Sequence, residues 1–425
     1  MKRSEFFKGA AAALGTLTLS RNLKAEPLGR LFAAAETAVD DEALWRVVRG
    51  QFILDPLWTY LNFGGLGSMP LPVIKSYEEW SRVEERAPGA GFDEKIWNEV
   101  KVKLARILGK TCRQEDLGFI STTTEGVNMI LNGLPLKKGD EVITSSHEHI
   151  CLKSALLNRM QRDGIVYRMF DPDLKNGLGN VDRIAALVNS RTRLIFFSHL
   201  TCTYGQVFPV KEIAALAREK GLWFALDGAQ APACVPFDIG DIGVDFYTSS
   251  THKWMMAPKR TGFLYVRKGM LDVLRPMSVG AGSSDKAEMV SKEFVLKPTV
   301  ARFEYGTQNE ALYFTLGTAI DFLEAVGLER VQARSRSLAE KFYAGLREIR
   351  GVEICSPEES AFRSPMISFR MAGRDYHDVM KRLGEDHIRV RPVNEGGLNC
   401  IRVSFYINND SADVEKILNS LKKIA

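Results

Sequence analysis

Three short stretches of the chain carry residue types suited to chemistry at one site. Asp227 follows the apolar run Leu222–Leu226, where a buried strand is expected to end. A carboxylate there costs desolvation energy unless a cation or hydrogen-bond donors meet it. Lys253 stands 26 positions later in Thr251-His252-Lys253-Trp254, just past another strand-like run. Ser121–Gly126 reads Ser-Thr-Thr-Thr-Glu-Gly and opens a helical pattern. A helix N-terminus offers free N–H groups and a positive dipole end, and hydroxyls beside it make a cradle for phosphate. Each stretch also has a plain alternative. Asp227 would cap the Gly228-Ala229-Gln230 turn. Lys253 would be a solvated loop lysine, as Lys259 and Arg260 look. Thr122 and Glu125 would form a capping box.

Taken in order, the three stretches match the needs of one cofactor. Pyridoxal phosphate requires a cradle for its phosphate, an anion for its pyridinium nitrogen and a lysine amine for its aldehyde. Neither G-x-G-x-x-G nor G-x-x-x-x-G-K-[ST] occurs, so a dinucleotide fingerprint and a Walker loop are not supported.

The surrounding elements are arranged to place such residues together. Leu117–Ile120, Val142–Ile143, Leu194–Phe197, Leu222–Leu226, Val244–Tyr247 and Phe263–Val266 read as buried strands. Helical patterns such as Glu212–Lys220 lie between them. Continuous apolar runs alternating with helices predict an α/β domain with a mainly parallel sheet. Most of these runs end in polar or small residues, and open α/β sheets bind ligands at the carboxyl ends of their strands. The tail differs. Val331, Leu338, Phe342, Leu346 and Ile349 fall at helical spacing. Strand-like runs at Met366–Phe369 and Ile401–Phe405 and a closing helix at Ala412–Ile424 follow. A smaller α+β domain is expected from near residue 310. The expected division is a leader over 1–25, a large domain with an N-terminal arm over 26–310 and a small domain over 311–425.

Composition sets the remaining bounds. The 425 residues are 45% hydrophobic and 26% charged, ordinary for a globular chain. The net charge of +5 sits mostly in the first 25 residues, where Lys2, Arg3, Lys8, Arg21 and Lys24 face only Glu5. The rest carries no footprint for nucleic acid. Six scattered cysteines include no CxxC pair, so no zinc site is indicated. Met1–Ser20 has a basic head and a weakly apolar run too short and mild for a permanent membrane anchor. It resembles a twin-arginine export signal in which Ser4 stands where the second arginine belongs. A periplasmic location is expected, or a cytoplasmic one if the leader does not function.

The chain resembles the class V aminotransferases among the fold-type-I pyridoxal-phosphate enzymes, near the isopenicillin N epimerase-like members. The matching stretches are Tyr60-Leu61-Asn62, Thr123–Asn128, Glu148-His149, Asp227–Gln230, Thr251–Trp254, Gly306-Thr307 and Arg402-Val403-Ser404. The resemblance implies a large domain with a mainly parallel seven-stranded sheet and a smaller C-terminal α+β domain. It implies pyridoxal 5'-phosphate bound as a Schiff base on Lys253, with Asp227 on the pyridinium nitrogen and Gln230 on the ring hydroxyl. His149 would stack on the ring, with His147 as a rival. Thr123, Thr124 and His252 would bind the phosphate. Gly306 and Thr307 would reach it from a neighbouring subunit, which implies a homodimer. Arg402 would hold the substrate carboxylate, and Asn62 would touch the substrate. Plain alternatives stand beside these roles: a helix cap for His149, an internal ion pair for Arg402, a helix-start residue for Gln230.

The implied activity is on an amino acid or related amine. Transamination is the expected outcome, and epimerisation or elimination are the alternatives, because all share the loss of a Cα proton. Cysteine desulfurase and non-catalytic ligand binding stand behind these. Desulfurases of this class carry a catalytic Cys on a loop before the Arg-x-Ser strand. Here that region, 389–400, holds only Cys400, at the strand start with no adjoining His. Cys400 reads as a buried small residue.

Overall fold

The structure is a computed structural model and describes residues 41–88 and 93–425. The expected leader lies outside the described residues. A short strand, β1 (Thr59–Tyr60), is followed by the seven strands of the main sheet: β2 (Leu117–Ile120), β3 (Glu141–Ser145), β4 (Val166–Phe170), β5 (Thr192–Ser198), β6 (Trp223–Asp227), β7 (Phe246–Ser250) and β8 (Gly262–Val266). Their spatial order is β2-β8-β7-β6-β5-β3-β4. The pairs from β7 through β4 are parallel, while β8 runs antiparallel to both β7 and β2.

Alternation along the central strands builds two cores. Ile195, Phe197, Phe224 and Leu226 face one side, packed with Trp97, Leu104 and Ile213. Leu194, Phe196 and Ala225 face the other, packed with Val127, Ile130 and Leu156. Successive side chains on a strand point to opposite faces, so a continuous apolar run is what a sheet covered on both faces requires. Edge strand β4 is the exception. Its residues Val166-Tyr167-Arg168-Met169-Phe170 are mostly half-buried or exposed, and no apolar run announced it in the sequence.

A hairpin, β9 (Ser284–Glu288) and β10 (Glu293–Leu296), projects after the main sheet. The helix Glu310–Val326 is apolar nearly all round and packs against the helices Leu71–Arg86 and Glu94–Leu108. It therefore belongs to the first core, although the expected division falls near its start. The next helix, Leu328–Arg347, covers a four-stranded antiparallel sheet of β11 (Val352–Ile354), β12 (Met366–Met371), β14 (Arg391–Val393) and β15 (Cys400–Ser404), in the order β11-β12-β15-β14. A two-residue strand, β13 (Ile388–Arg389), pairs with β1. Leu61 packs into this second core, and Asn62 bridges to Ser404. The N-terminal segment thus ties the smaller sheet to the main one.

Candidate active site

The carboxyl ends of β3, β5, β6 and β7 form one rim. Asp227 ends β6, in register with Ser198 on β5 and Thr248 on β7. It is 2% exposed. Its Oδ1 accepts the Ala229 N–H at 2.9 Å, and its Oδ2 accepts the Cys151 thiol at 3.5 Å. No cation pairs with it among the described residues. A buried carboxylate with only these weak donors is electrostatically incomplete, and a protonated ring nitrogen is the kind of partner that completes it.

Lys253 follows β7 on a loop held from several sides. Thr251 N–H donates to Thr261 O, Met256 N–H to Lys253 O, and Gly67 N–H to His252 O. Lys253 Nζ has no hydrogen-bond or ion-pair partner among the described residues. Burial holds its amine below the usual lysine range, and the nearby charge of Arg402 adds to this while Cys202, Asp227 and Cys151 oppose it. A lysine in this state is a neutral amine more readily than a surface lysine is, as a Schiff-base lysine or a proton acceptor must be.

The helix Thr123–Gly133 points its N-terminus at the same loop. Thr122 caps it, its side chain accepting the Glu125 N–H at 3.2 Å. The reciprocal half of a capping box is absent, because Glu125 instead accepts from Ser121 N–H and Oγ–H. Thr123 N–H donates to Ser250 Oγ at 2.7 Å, and the two hydroxyls lie 2.8 Å apart. The Thr124 N–H has no partner among the described residues. His252 Nδ1 is sealed from water without a partner among the described residues, and burial pushes the imidazole down to about 4. Free helix N–H groups, hydroxyls and a neutral imidazole make a donor set that an anion would satisfy. Ser250, not picked out in the sequence, is the residue that locks this cradle to the lysine strand. Gly126 permits the approach, since a Cβ there would lie 1.9 Å from Thr248 Oγ1.

The histidines separate clearly. His149 caps the helix Ile150–Asp163, its Nδ1 accepting the Cys151 N–H at 3.2 Å. Burial lowers its pKa, with Lys253's charge next, and Asp227, Arg391 and Glu395 also act on it. His147 instead packs edge-on against Tyr204 at 4.8 Å and contacts Thr203. His149, not His147, therefore borders the lysine and the aspartate. Between them Glu148 is fully buried, bonded to Ser145 and to Ser198 N–H and Oγ–H. Burial raises its carboxyl to about 7, and Asp227's charge adds to the rise. Gln230 joins the Gly64 carbonyl through Nε2 and the Trp254 indole N–H through Oε1, both at 2.8 Å.

Opposite the main rim lies Arg402 on β15, 1% exposed. It donates to Cys202 O at 2.6 Å and to Asn62 Oδ1 at 3.0 Å. No carboxylate pairs with it among the described residues, so the internal ion pair is not what holds it. Burial pushes it down to about 9, aided by Arg391, its cross-strand neighbour. A buried guanidinium without an anion leaves room for one from outside. Gly306 and Thr307 lie apart from this cluster, exposed on the surface. Their neighbour Tyr305 reaches Glu125 Oε1 at 3.3 Å, on the outer side of the cradle helix.

A mainly parallel sheet with a carboxylate and a lysine at its rim that form no ion pair among the described residues, under a smaller C-terminal sheet, is the fold-type-I architecture of pyridoxal-phosphate enzymes. The chain belongs to the aminotransferase class-V family, which it matches over residues 77–417. Pyridoxal 5'-phosphate is accordingly its cofactor, and the residues just described fit it. The chain is 31% identical to the isopenicillin N epimerase of Amycolatopsis lactamdurans, over 90% of this chain and 98% of that one. It is 27% identical to a probable cysteine desulfurase of Methanothermobacter thermautotrophicus, over 86% and 94% respectively. Among solved structures, a C-DES variant with glycine covalently linked to its PLP cofactor superposes with a TM-score of 0.80 at 24% identity, over 88% of this chain and 98% of that one.

Proposed function

We propose that the chain acts on an α-amino acid with a free carboxylate, and that its first chemical step is removal of the Cα proton by Lys253. The observation that carries this reading is the Lys253 amine, without a partner among the described residues and within reach of the charges of both Asp227 and Arg402. Bound at this site, pyridoxal phosphate supplies an electron sink for the charge left at Cα. Thr123, Thr124 and His252 would hold its phosphate, Asp227 its ring nitrogen and Gln230 its ring hydroxyl, and His149 would border its ring. Arg402 grips the substrate carboxylate with its fork, oriented by Asn62 and Cys202 O. Once free, the Lys253 amine accepts the Cα proton, a task that suits its lowered pKa.

Where that proton is returned decides the product. Transfer of the amino group is the leading outcome. Inversion at Cα is the second reading, favoured by the relative named isopenicillin N epimerase. Desulfuration stands behind both, although several relatives bear that name. It needs a reactive thiol at the substrate sulfur, and 391–399 carries no cysteine. Cys400 is fully buried beside Cys355, Tyr204 and Val393, and its thiol is pushed far up by Cys355 and by burial. We further infer a homodimer in which Gly306 and Thr307 reach the neighbour's phosphate, and export directed by residues 1–25.

Borohydride reduction of the purified protein followed by peptide mapping tests the site. An adduct on Lys253 is expected, and one on exposed Lys259 refutes the assignment. Following Cα deuterium exchange across amino acids, with and without a keto-acid acceptor, separates transfer, inversion and elimination.

A further inference from the structure

The short turn before β15 carries a carboxylate that the chemistry above does not use. Glu395 opens the 3-10 turn Glu395–Gly397, in which Gly396 and Gly397 take positive φ of 61° and 73°. Those angles fold the turn back toward Ser146, just ahead of the His149 loop. Glu395 Oε1 pairs with Arg391 Nη2, and both side chains are largely buried. Arg391 in turn lies opposite Arg402 across β14 and β15 and donates to the same Cys202 carbonyl at 3.3 Å. Glu395's charge acts on His149, Cys202 and Arg402. Burial is the largest influence and favours its neutral form, but Arg391, its own backbone N–H and Arg402 together outweigh burial and lower its pKa. Its Oε2 is shut off from water and has no hydrogen-bond partner among the described residues.

The charges around Arg402 can be balanced in only one simple way. Arg391 and Arg402 bring two positive charges and Glu395 one negative. A single substrate carboxylate makes this group neutral. A second would leave it anionic in a site with little water, where like charges repel strongly.

We infer that Glu395 is a specificity-determining residue: its charge fits the pocket to amino acids with one carboxylate and turns away dicarboxylic amino acids. This rests on the reading that Arg402 holds the substrate carboxylate. The turn contributes a negative charge where the β14–β15 arginine pair alone would have drawn a diacid.

Three four-carbon probes separate these effects without turnover: butyrate, 4-hydroxybutyrate and succinate, titrated into the holoenzyme by calorimetry. The wild type is expected to bind butyrate and 4-hydroxybutyrate at least about tenfold more tightly than succinate, as like-charge exclusion dictates. Glu395→Gln keeps the shape and removes the charge. It is expected to erase that preference, chiefly by tightening succinate. Glu395→Asp, which keeps the charge, is expected to retain it and guards against a folding artefact. The same succinate ratio in wild type and Glu395→Gln overturns the proposal while leaving Arg402 in place. If none of the three binds, or if Arg402→Gln leaves all three unchanged, the carboxylate pocket itself is refuted, and this inference with it.

Discussion

The Cys151 thiol meets the Asp227 carboxylate at 3.5 Å, one residue into the helix that His149 caps. The thiol is held protonated, pushed up by burial and then by Asp227. It is thus a weak donor to the oxygen of Asp227 that the Ala229 N–H does not reach. Cys151→Ser keeps a donor of smaller radius, whereas Cys151→Ala removes it. A thiol is a weak donor, so its bond to the carboxylate is worth about 0.5–1.5 kcal/mol, and Cys151→Ala should loosen the cofactor a few-fold and Cys151→Ser less. Asp227→Asn should do far more. Removing one partner of a buried charge pair costs about 3–5 kcal/mol, a loss of at least about a hundredfold in cofactor retention on dialysis, read from its absorbance. Equal retention in the wild type and Asp227→Asn would remove Asp227 from the ring nitrogen.

Glu148 makes stability fall with rising pH. Its folded pKa is raised, by burial first, to about 7 from an ordinary 4.5. The folded chain therefore holds a proton that the unfolded chain has released between these values. Its contribution to stability is full below about 4.5 and lost as pH rises through about 7. Glu148→Gln imitates the protonated form toward Ser145 and Ser198. Denaturant unfolding at pH 5 and pH 8 should show a smaller loss across that interval in Glu148→Gln than in wild type. An identical pH slope would show that Glu148 is ionised throughout.

Arg402→Lys keeps a positive charge but loses the fork that spans Cys202 O and Asn62 Oδ1. Lysine is a point charge on a flexible stem and does not reproduce paired donors. KM for an amino acid should rise by about 10²-fold, in line with about 2–5 kcal/mol for a buried charged contact, while the cofactor spectrum stays unchanged. A drop in kcat at constant KM would instead assign Arg402 to the transition state alone.

Much of this site was legible because strand ends announce themselves. The runs before Asp227 and Lys253 became β6 and β7, neighbours in the sheet, so two residues 26 positions apart meet at one rim. The Ser121–Gly126 stretch was legible for the same reason, since β2 feeds directly into a helix start. Strand β4 was not, because an edge strand half in solvent needs no apolar run. The reversed direction of β8 left no trace in its residues, which are as apolar as those of a parallel strand. Glu148, Ser250 and Glu395 were missed because their roles come from partners far along the chain or across a sheet. His149 and His147 differ by two positions, and only the turn between β3 and the next helix decides which one borders Lys253.

Gly67 links the N-terminal segment to the lysine loop and makes a sharp test of how tightly that loop is held. Its N–H donates to His252 O at 3.1 Å, and a Cβ at this position would stand 2.2 Å from Lys253 O and 2.8 Å from His252 O. Both obstacles are backbone atoms, so the loop itself must move. Overpacking of this kind costs about 1–3 kcal/mol. The displacement falls on the residue that carries the amine, and a shift of about 1 Å is enough to cost about 10²-fold in rate. Gly67→Ala should therefore lose activity well beyond its loss in Tm. Gly384→Ala is the matching control. It lies in the helix Tyr376–Glu385 with open space around it, and alanine there should stabilise by about 0.5–1 kcal/mol with activity unchanged. If Gly67→Ala loses only stability, the loop tolerates movement at Lys253, and close backbone packing is not what positions the amine.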